Sequence, residues 1–199
     1  MNTEWRQPAV LAAAVLIAYA NSFFGAFQFD DYNVIVGSSQ VHSLDAWRAG
    51  LGGGLRPLLK LSYALNWMAS PAPAGFHLVN LLIHLFSAGL VYALANTFCQ
   101  RAMPQRDGHR IALATALLFA LHPVHTEAVT YISGRSSSLM AMFYLAALWA
   151  YARWTQARQS ESLRAASLCL FALALLVKES AMLFVFALLV WECVQRTPW

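Results

Sequence analysis

Five long apolar runs, at residues 8–27, 76–98, 110–121, 137–152 and 165–194, leave this chain few ways to fold. A helix that crosses a bilayer needs roughly 20 apolar residues. Lipid offers no partner for backbone N–H and C=O groups, so a spanning segment must satisfy them internally. Only 11% of the 199 residues are charged and 59% are hydrophobic, against about 25% charged in ordinary soluble domains. The expected fold is all-α, a polytopic transmembrane helical bundle formed by residues 1–199 as one domain. The first run exceeds a signal-peptide core and no small-residue cleavage site clearly follows it, so it reads as a retained span. The net charge of +4 belongs to loop arginines and argues against a nucleic-acid surface. Cys99, Cys169 and Cys193 lie in or beside apolar segments without disulfide or metal spacing, and core packing is expected of each.

Arginine placement orders the runs. Residues 165–194 are too long for one span and carry Lys178 and Glu179 near their middle, so two short helices meeting there fit better. Residues 110–153 divide in the same way around HPVHTEAVTYISGR. About six spans result, roughly 8–27, 76–98, 110–123, 136–153, 165–178 and 180–194. Arg6, Arg101, Arg106, Arg110, Arg153, Arg158, Arg164 and Arg196 then share one side, the cytoplasm by the positive-inside rule, with both termini. The other side receives Asp30, Asp31, Asp45, Arg48, Arg56, Lys60, Glu127, Arg135, Lys178 and Glu179, a mixture of signs expected of a site. The first extracytoplasmic loop covers 28–75, and within it Gly50-Leu51-Gly52-Gly53-Gly54 reads as a flexible linker with no phosphate role.

The polar motifs on that side carry the candidate chemistry. Asp30 and Asp31, at the end of the first span, offer a general base, a metal ligand or a solvated turn. Arg56, Lys60, Tyr63 and Asn66 fall at helical spacing with leucines opposite, an interfacial amphipathic helix whose cations could hold a phosphate or snorkel to headgroups. His77, Asn80 and His84 share one face of the second span, where interhelical hydrogen bonding is the bland alternative, favoured for His84. His122, His125 and Glu127 precede Tyr131 and Arg135; a continuous helix would put Glu127, Tyr131 and Arg135 on one face, with Arg135 as a phosphate fork. Their spacing is not HExxH, so no metal site is assigned, although carboxylates of this kind can bind a divalent ion. Lys178 and Glu179 read either as site residues or as a mutually neutralising pair.

Five motifs occur in order: FxFDDYNVI, RPLxxLSYALN, FHLVNxLxH, ALHPVHTEAVxYISGRSSxLxAxFY and LLxKES. Together they resemble the N-terminal membrane region of the transmembrane-and-TPR O-mannosyltransferase family and its bacterial relatives, glycosyltransferases of the GT-C class. The resemblance spans about residues 23–185, and its HPVHTEAV…GRSS block is the most specific part. It implies a GT-C helical bundle in a bacterial inner membrane, with the site on the periplasmic face. It implies a polyprenyl-phosphate sugar as donor, with mannose the first candidate, and a hydroxyl of an exported protein or a glycan as acceptor. Asp30 and Asp31 match the family's acidic motif, and Asp30 would be the base. Arg56, Lys60, Arg135 and Lys178 would stabilise the departing lipid phosphate, and His77, His122, His125, Glu127 and Glu179 complete the expected substrate-binding set.

The ending Val194–Trp199 carries no TPR pattern, so the family's further spans and repeats are expected to be missing. Two other readings therefore stand beside the transferase. One is a non-catalytic subunit docked in a larger membrane assembly. The other is a small transporter using buried His and carboxylate groups as a proton relay.

Overall fold

The computed structural model describes residues 3–103, 107–156 and 160–196. Arg106, Arg158, the side chain of Arg196 and the terminus from Thr197 lie outside the described residues. Helix α1 covers Thr3–Tyr19 and tightens into a 3-10 turn at Ala20–Phe24. The loop that follows holds the short helix α2, Leu44–Ala49, and then α3, Pro57–Ala69. Next come α4 (Pro73–Ala102), α5 (Gly108–Ala120), α6 (His125–Thr130), α7 (Arg135–Gln156), α8 (Glu161–Val177) and α9 (Phe184–Arg196). Every described element is helical or irregular.

Local chemistry sets the boundaries. Pro57 and Pro73 stand in the first turns of α3 and α4, where a missing N–H costs nothing. The Ser43 hydroxyl accepts from Ala46 N at 3.1 Å and caps α2. Asp107 caps α5 by accepting from Arg110 N at 3.4 Å. Lys178 is extended (φ −158°, ψ 135°) and ends α8, and a 3-10 turn over Glu179–Leu183 leads into α9. The expected break at Lys178-Glu179 is therefore present.

Six of the helices coincide with the six expected segments within a few residues at most ends. Two stretches, Arg6–Phe24 and Pro73–Ala102, are long and apolar enough to cross a membrane by themselves. Helix α4 is the axis of the bundle, packing along α5 and α7, while α7 packs along α8. One apolar core joins Leu11, Val15, Leu81, Ala116 and Val129 between α1, α4, α5 and α6. A second joins Ile35, Leu59, Phe76, Ile132, Leu139 and Val177, and so lies directly beneath the first loop. Large apolar side chains such as Ile17, Phe86, Leu118, Leu168, Phe186 and Val190 face outward. An outward apolar surface of that extent is costly in water and suits lipid. Cys99 is buried, but Cys169 and Cys193 are exposed, so the expectation of core packing fails for those two.

Helix α3 does not lie loose on the interface with its polar face to solvent. It packs against α4, α8 and the turn at Ser39–Val41. Tyr63 and Asn66, expected on the cationic face, are buried at 2% and 7% exposure, while Leu65 and Met68 are exposed. The polar face turns inward because a buried cation waits there, as follows.

Candidate active site

Arg135, the first residue of α7, is fully buried. Its Nε donates to Asn80 Oδ1 at 2.7 Å, and Nη2 donates to Asn66 Oδ1 at 2.8 Å and Phe76 O at 3.0 Å. Nη1 donates to Ser62 O at 3.3 Å, and the guanidinium lies 4.9 Å from the Tyr63 ring centroid. A guanidinium supplies five donors in a fixed planar fork. Here the fork ties α3, α4 and α7 together, so its donors are engaged inside the protein and it does not line the cavity above. Asn80 completes the knot by pointing its Nδ2 at the carbonyls of Val129, Tyr131 and Ile132 at 3.2–3.4 Å. Residues 124–135 do not form the one continuous helix that would put Glu127, Tyr131 and Arg135 on a shared face. Tyr131 is extended (φ −83°, ψ 123°), which breaks the register and sends Arg135 inward while Glu127 and Tyr131 stay at the surface.

The two aspartates separate just as sharply. Asp31 is 1% exposed and accepts from Gln28 N at 2.9 Å, from Ser133 N at 2.8 Å and from the Ser133 hydroxyl. It fastens the first loop to the 132–134 turn. Asp30 is exposed, and its backbone N–H donates to the Tyr131 hydroxyl at 3.0 Å. The preceding residue, Phe29, has φ 45°, a left-handed conformation that aromatic residues seldom adopt. That turn lets adjacent residues face opposite ways.

Asp30 opens into a cavity of about 880 Å³. The same cavity is lined by Arg56, Lys60, Glu127, Tyr131 and Lys178, with Tyr63, Ser133 and Ser137 among its other walls. Five residues singled out from the sequence, Asp30, Arg56, Lys60, Glu127 and Lys178, thus meet from four separate parts of the chain. Lys60 Nζ donates to Gln40 Oε1 at 2.9 Å, and Lys178 Nζ donates to the Ser137 hydroxyl at 2.8 Å. Gly53 and Gly54, expected to be mere linker, form part of the wall, and a Cβ on Gly54 would meet Lys60 Nζ at 2.8 Å.

Glu179 does not neutralise its neighbour Lys178. It takes a forked ion pair from Arg56, with Nε donating at 3.2 Å and Nη2 to the other carboxylate oxygen. This pair closes the first loop onto the α8–α9 junction at the cavity rim. The Arg56 hydrogen bonds hold the Glu179 carboxyl down at about 2. A depressed carboxyl contributes its stabilisation above the ordinary carboxylate range and loses it as pH falls through the depressed value. The rim contact is therefore expected to survive at pH 4 and to fail only near pH 2. Hydrogen exchange of residues 50–57 across that range should show it, and Glu179→Gln should speed exchange there already at pH 7.

The remaining candidates lie apart from the cavity. His77 is buried beneath Gly25, so close that a Cβ on Gly25 would stand 2.8 Å from its Nε2. His125 packs on Phe119 with ring centroids 4.3 Å apart, and His84 meets Ala120 O at 3.0 Å through Nε2. His122 is exposed, and its Nδ1 accepts from Val124 N at 3.2 Å. Among the described residues no three His, Cys, Asp or Glu side chains gather closely enough to hold a metal ion. Gly134 supports the cavity wall by its lack of a side chain: a Cβ there would stand 2.5 Å from Glu127 O and 3.1 Å from Ala128 Cα. Gly134→Ala should cost about 1–3 kcal/mol by forcing these backbones apart, read as a lowered thermal midpoint in detergent.

Residues 74–198 match the family described as dolichyl-phosphate-mannose-protein mannosyltransferase. The chain belongs to that family. Asp30, Asp31, Arg56 and Lys60 precede the matched stretch, so the mannosyltransferase match rests on α4 through α9. Among curated proteins the chain is similar to protein O-mannosyl-transferase Tmtc1 of Drosophila melanogaster, 34% identical over 155 residues, which are 70% of this chain and 17% of that protein. It is 36% identical to protein O-mannosyl-transferase TMTC1 of Mus musculus over 160 residues, 72% of this chain and 16% of that protein. Protein O-mannosyl-transferase Tmtc2 of Drosophila melanogaster is 33% identical over 186 residues, 83% of this chain and 19% of that protein. The chain thus spans under a fifth of the length of these three relatives. No solved structure matches it.

Proposed function

We propose that this chain is the catalytic N-terminal part of a membrane O-mannosyltransferase and moves mannose from a polyprenyl-phosphate donor to a hydroxyl of an exported protein or a glycan. The observation that carries the reading is the cavity in which exposed Asp30 stands with Lys60 and Lys178. In that reading the Asp30 carboxylate takes the proton of the acceptor hydroxyl. The hydroxyl oxygen forms the bond to the sugar's anomeric carbon while the bond from that carbon to the phosphate oxygen breaks. The lipid phosphate leaves with the electron pair, and Lys60 and Lys178 supply the positive charge that stabilises it. Arg56 plays a lesser part, since two of its donors already serve Glu179. Glu127, exposed in the same wall, offers its carboxylate to the sugar hydroxyls. Asp31 and Arg135 hold the walls in place.

We further infer that α1, α4, α5, α7, α8 and α9, the helices that coincide with the six expected segments, cross the bilayer, with the cavity on the extracytoplasmic side and both termini in the cytoplasm. The arginine distribution supports this orientation. The test is transfer of radiolabelled sugar from a panel of polyprenyl-phosphate monosaccharides to membrane proteins, comparing the wild-type chain with Asp30→Asn. Transfer from the mannose donor that disappears in the variant is the expected result. A folded wild-type chain that transfers none of the sugars would overturn the reading and mark a non-catalytic part of a larger membrane assembly.

A further inference from the structure

A second cavity, of about 630 Å³, lies at the other end of the bundle. Tyr92, in its wall, stands roughly 18 Å along α4 beyond Asn80 and the knot under the first site. The lining consists of Arg6, Gln7 and Pro8 from α1, Tyr92 from α4, and Asp107, His109 and Arg110 from the start of α5. The mannosyl-transfer reading uses none of them.

Their arrangement is ordered. The Tyr92 hydroxyl donates to Gln7 Oε1 at 2.7 Å and meets His109 Nδ1 at 3.1 Å. With its own proton given to Gln7, Tyr92 accepts from His109, which leaves Nε2 as the other polar atom of that ring. One hydroxyl thus ties α1, α4 and α5 together around the cavity. Arg110 is paired with Asp107, Nε to carboxylate at 2.9 Å. Arg6 has no ion-pair partner among the described residues. Among the described lining residues, two guanidinium groups and one carboxylate leave a single net positive charge, on a pre-formed concave surface at the end of an apolar bundle.

We propose that this cavity binds the phosphate of a headgroup with net negative charge, as an anionic phospholipid presents it at the membrane surface. The single negative charge of such a headgroup balances the net charge of the described lining, and Arg6 supplies the forked donor geometry that suits its phosphate oxygens. Arg110 serves as a second contact shared with Asp107. The site stands independently of transferase activity, because it lies at the opposite end of α4 and its readout is binding.

Native mass spectrometry of the purified full chain, exchanged into detergent with phosphatidylglycerol, phosphatidylcholine or inorganic phosphate, tests the assignment. Preferential retention of phosphatidylglycerol is expected, weakened about fivefold in Arg6→Gln, the effect of one basic residue at an anionic surface. Arg48→Gln, in the first loop at the other end, should leave retention unchanged. Displacement of the bound lipid by millimolar inorganic phosphate would keep the phosphate chemistry and assign it to a soluble source. Equal retention of the two lipids, or unchanged retention in Arg6→Gln, would overturn the site. Arg6 is exposed, so its loss does not threaten folding, and Arg6→Glu should abolish the preference.

Discussion

Replacing Arg135 by methionine should unfold the bundle at its first-loop end rather than weaken substrate binding. The side chain is fully buried and donates to four acceptors on α3 and α4: the side-chain oxygens of Asn80 and Asn66, which depend on it, and the helical carbonyls of Phe76 and Ser62. Each amide oxygen stranded without water costs about 1–3 kcal/mol. With the two weakened carbonyl contacts added, the total is about 3–5 kcal/mol. For a chain of this size that lowers the thermal midpoint by about 10 °C. Arg135→Lys should recover little of the loss, because a single ammonium cannot reproduce the planar fork. Thermal unfolding in detergent reads the effect directly. A normal midpoint together with a raised KM for the lipid-linked sugar would move Arg135 from scaffold to substrate contact.

The adjacent aspartates should respond in opposite ways. Asp30→Asn is expected to reduce sugar transfer by about 10²–10⁴, the usual contribution of a general base, with the thermal midpoint unchanged. Its carboxylate is exposed at the cavity and only its backbone is tied to Tyr131. Asp31→Asn should instead cost about 1–3 kcal/mol of stability. The native carboxylate accepts from Gln28 N, Ser133 N and the Ser133 hydroxyl, whereas a carboxamide turns a donor edge toward one of those donors. Some transfer should persist in that variant, since the base itself is intact. Measuring kcat and midpoint for both separates the roles, and loss of transfer at unchanged midpoint in Asp31→Asn alone would exchange them.

Asp30, Lys60, Glu127 and Lys178 stand out in the sequence because charge is rare in so apolar a chain, and the fold gathers them at one cavity. Tyr131 carries no such mark in the sequence beyond its helical spacing from Glu127 and Arg135. Its contact with the Asp30 backbone, 101 residues away, has no local signature. Ser133 and Ser137 stood in a serine-rich segment of α7 and its approach, with nothing to mark them as partners of Asp31 and Lys178.

Composition and punctuation were enough for the long helices and their main breaks. The apolar runs require helices, Pro57 and Pro73 start two of them, and Lys178 divides the last pair, because these are local effects of solvation and backbone geometry. Tertiary structure alone decided which polar groups face the cavity. Helical periodicity assigns faces only while a helix continues, and the extended Tyr131 and the left-handed Phe29 reset the phase. Arg135 was thereby turned into the core, Asp31 was parted from Asp30, and Glu179 was given to Arg56, 123 residues distant, instead of to the lysine beside it. Such pairings are chosen by which donors and acceptors packing brings together, and no spacing along the chain encodes that.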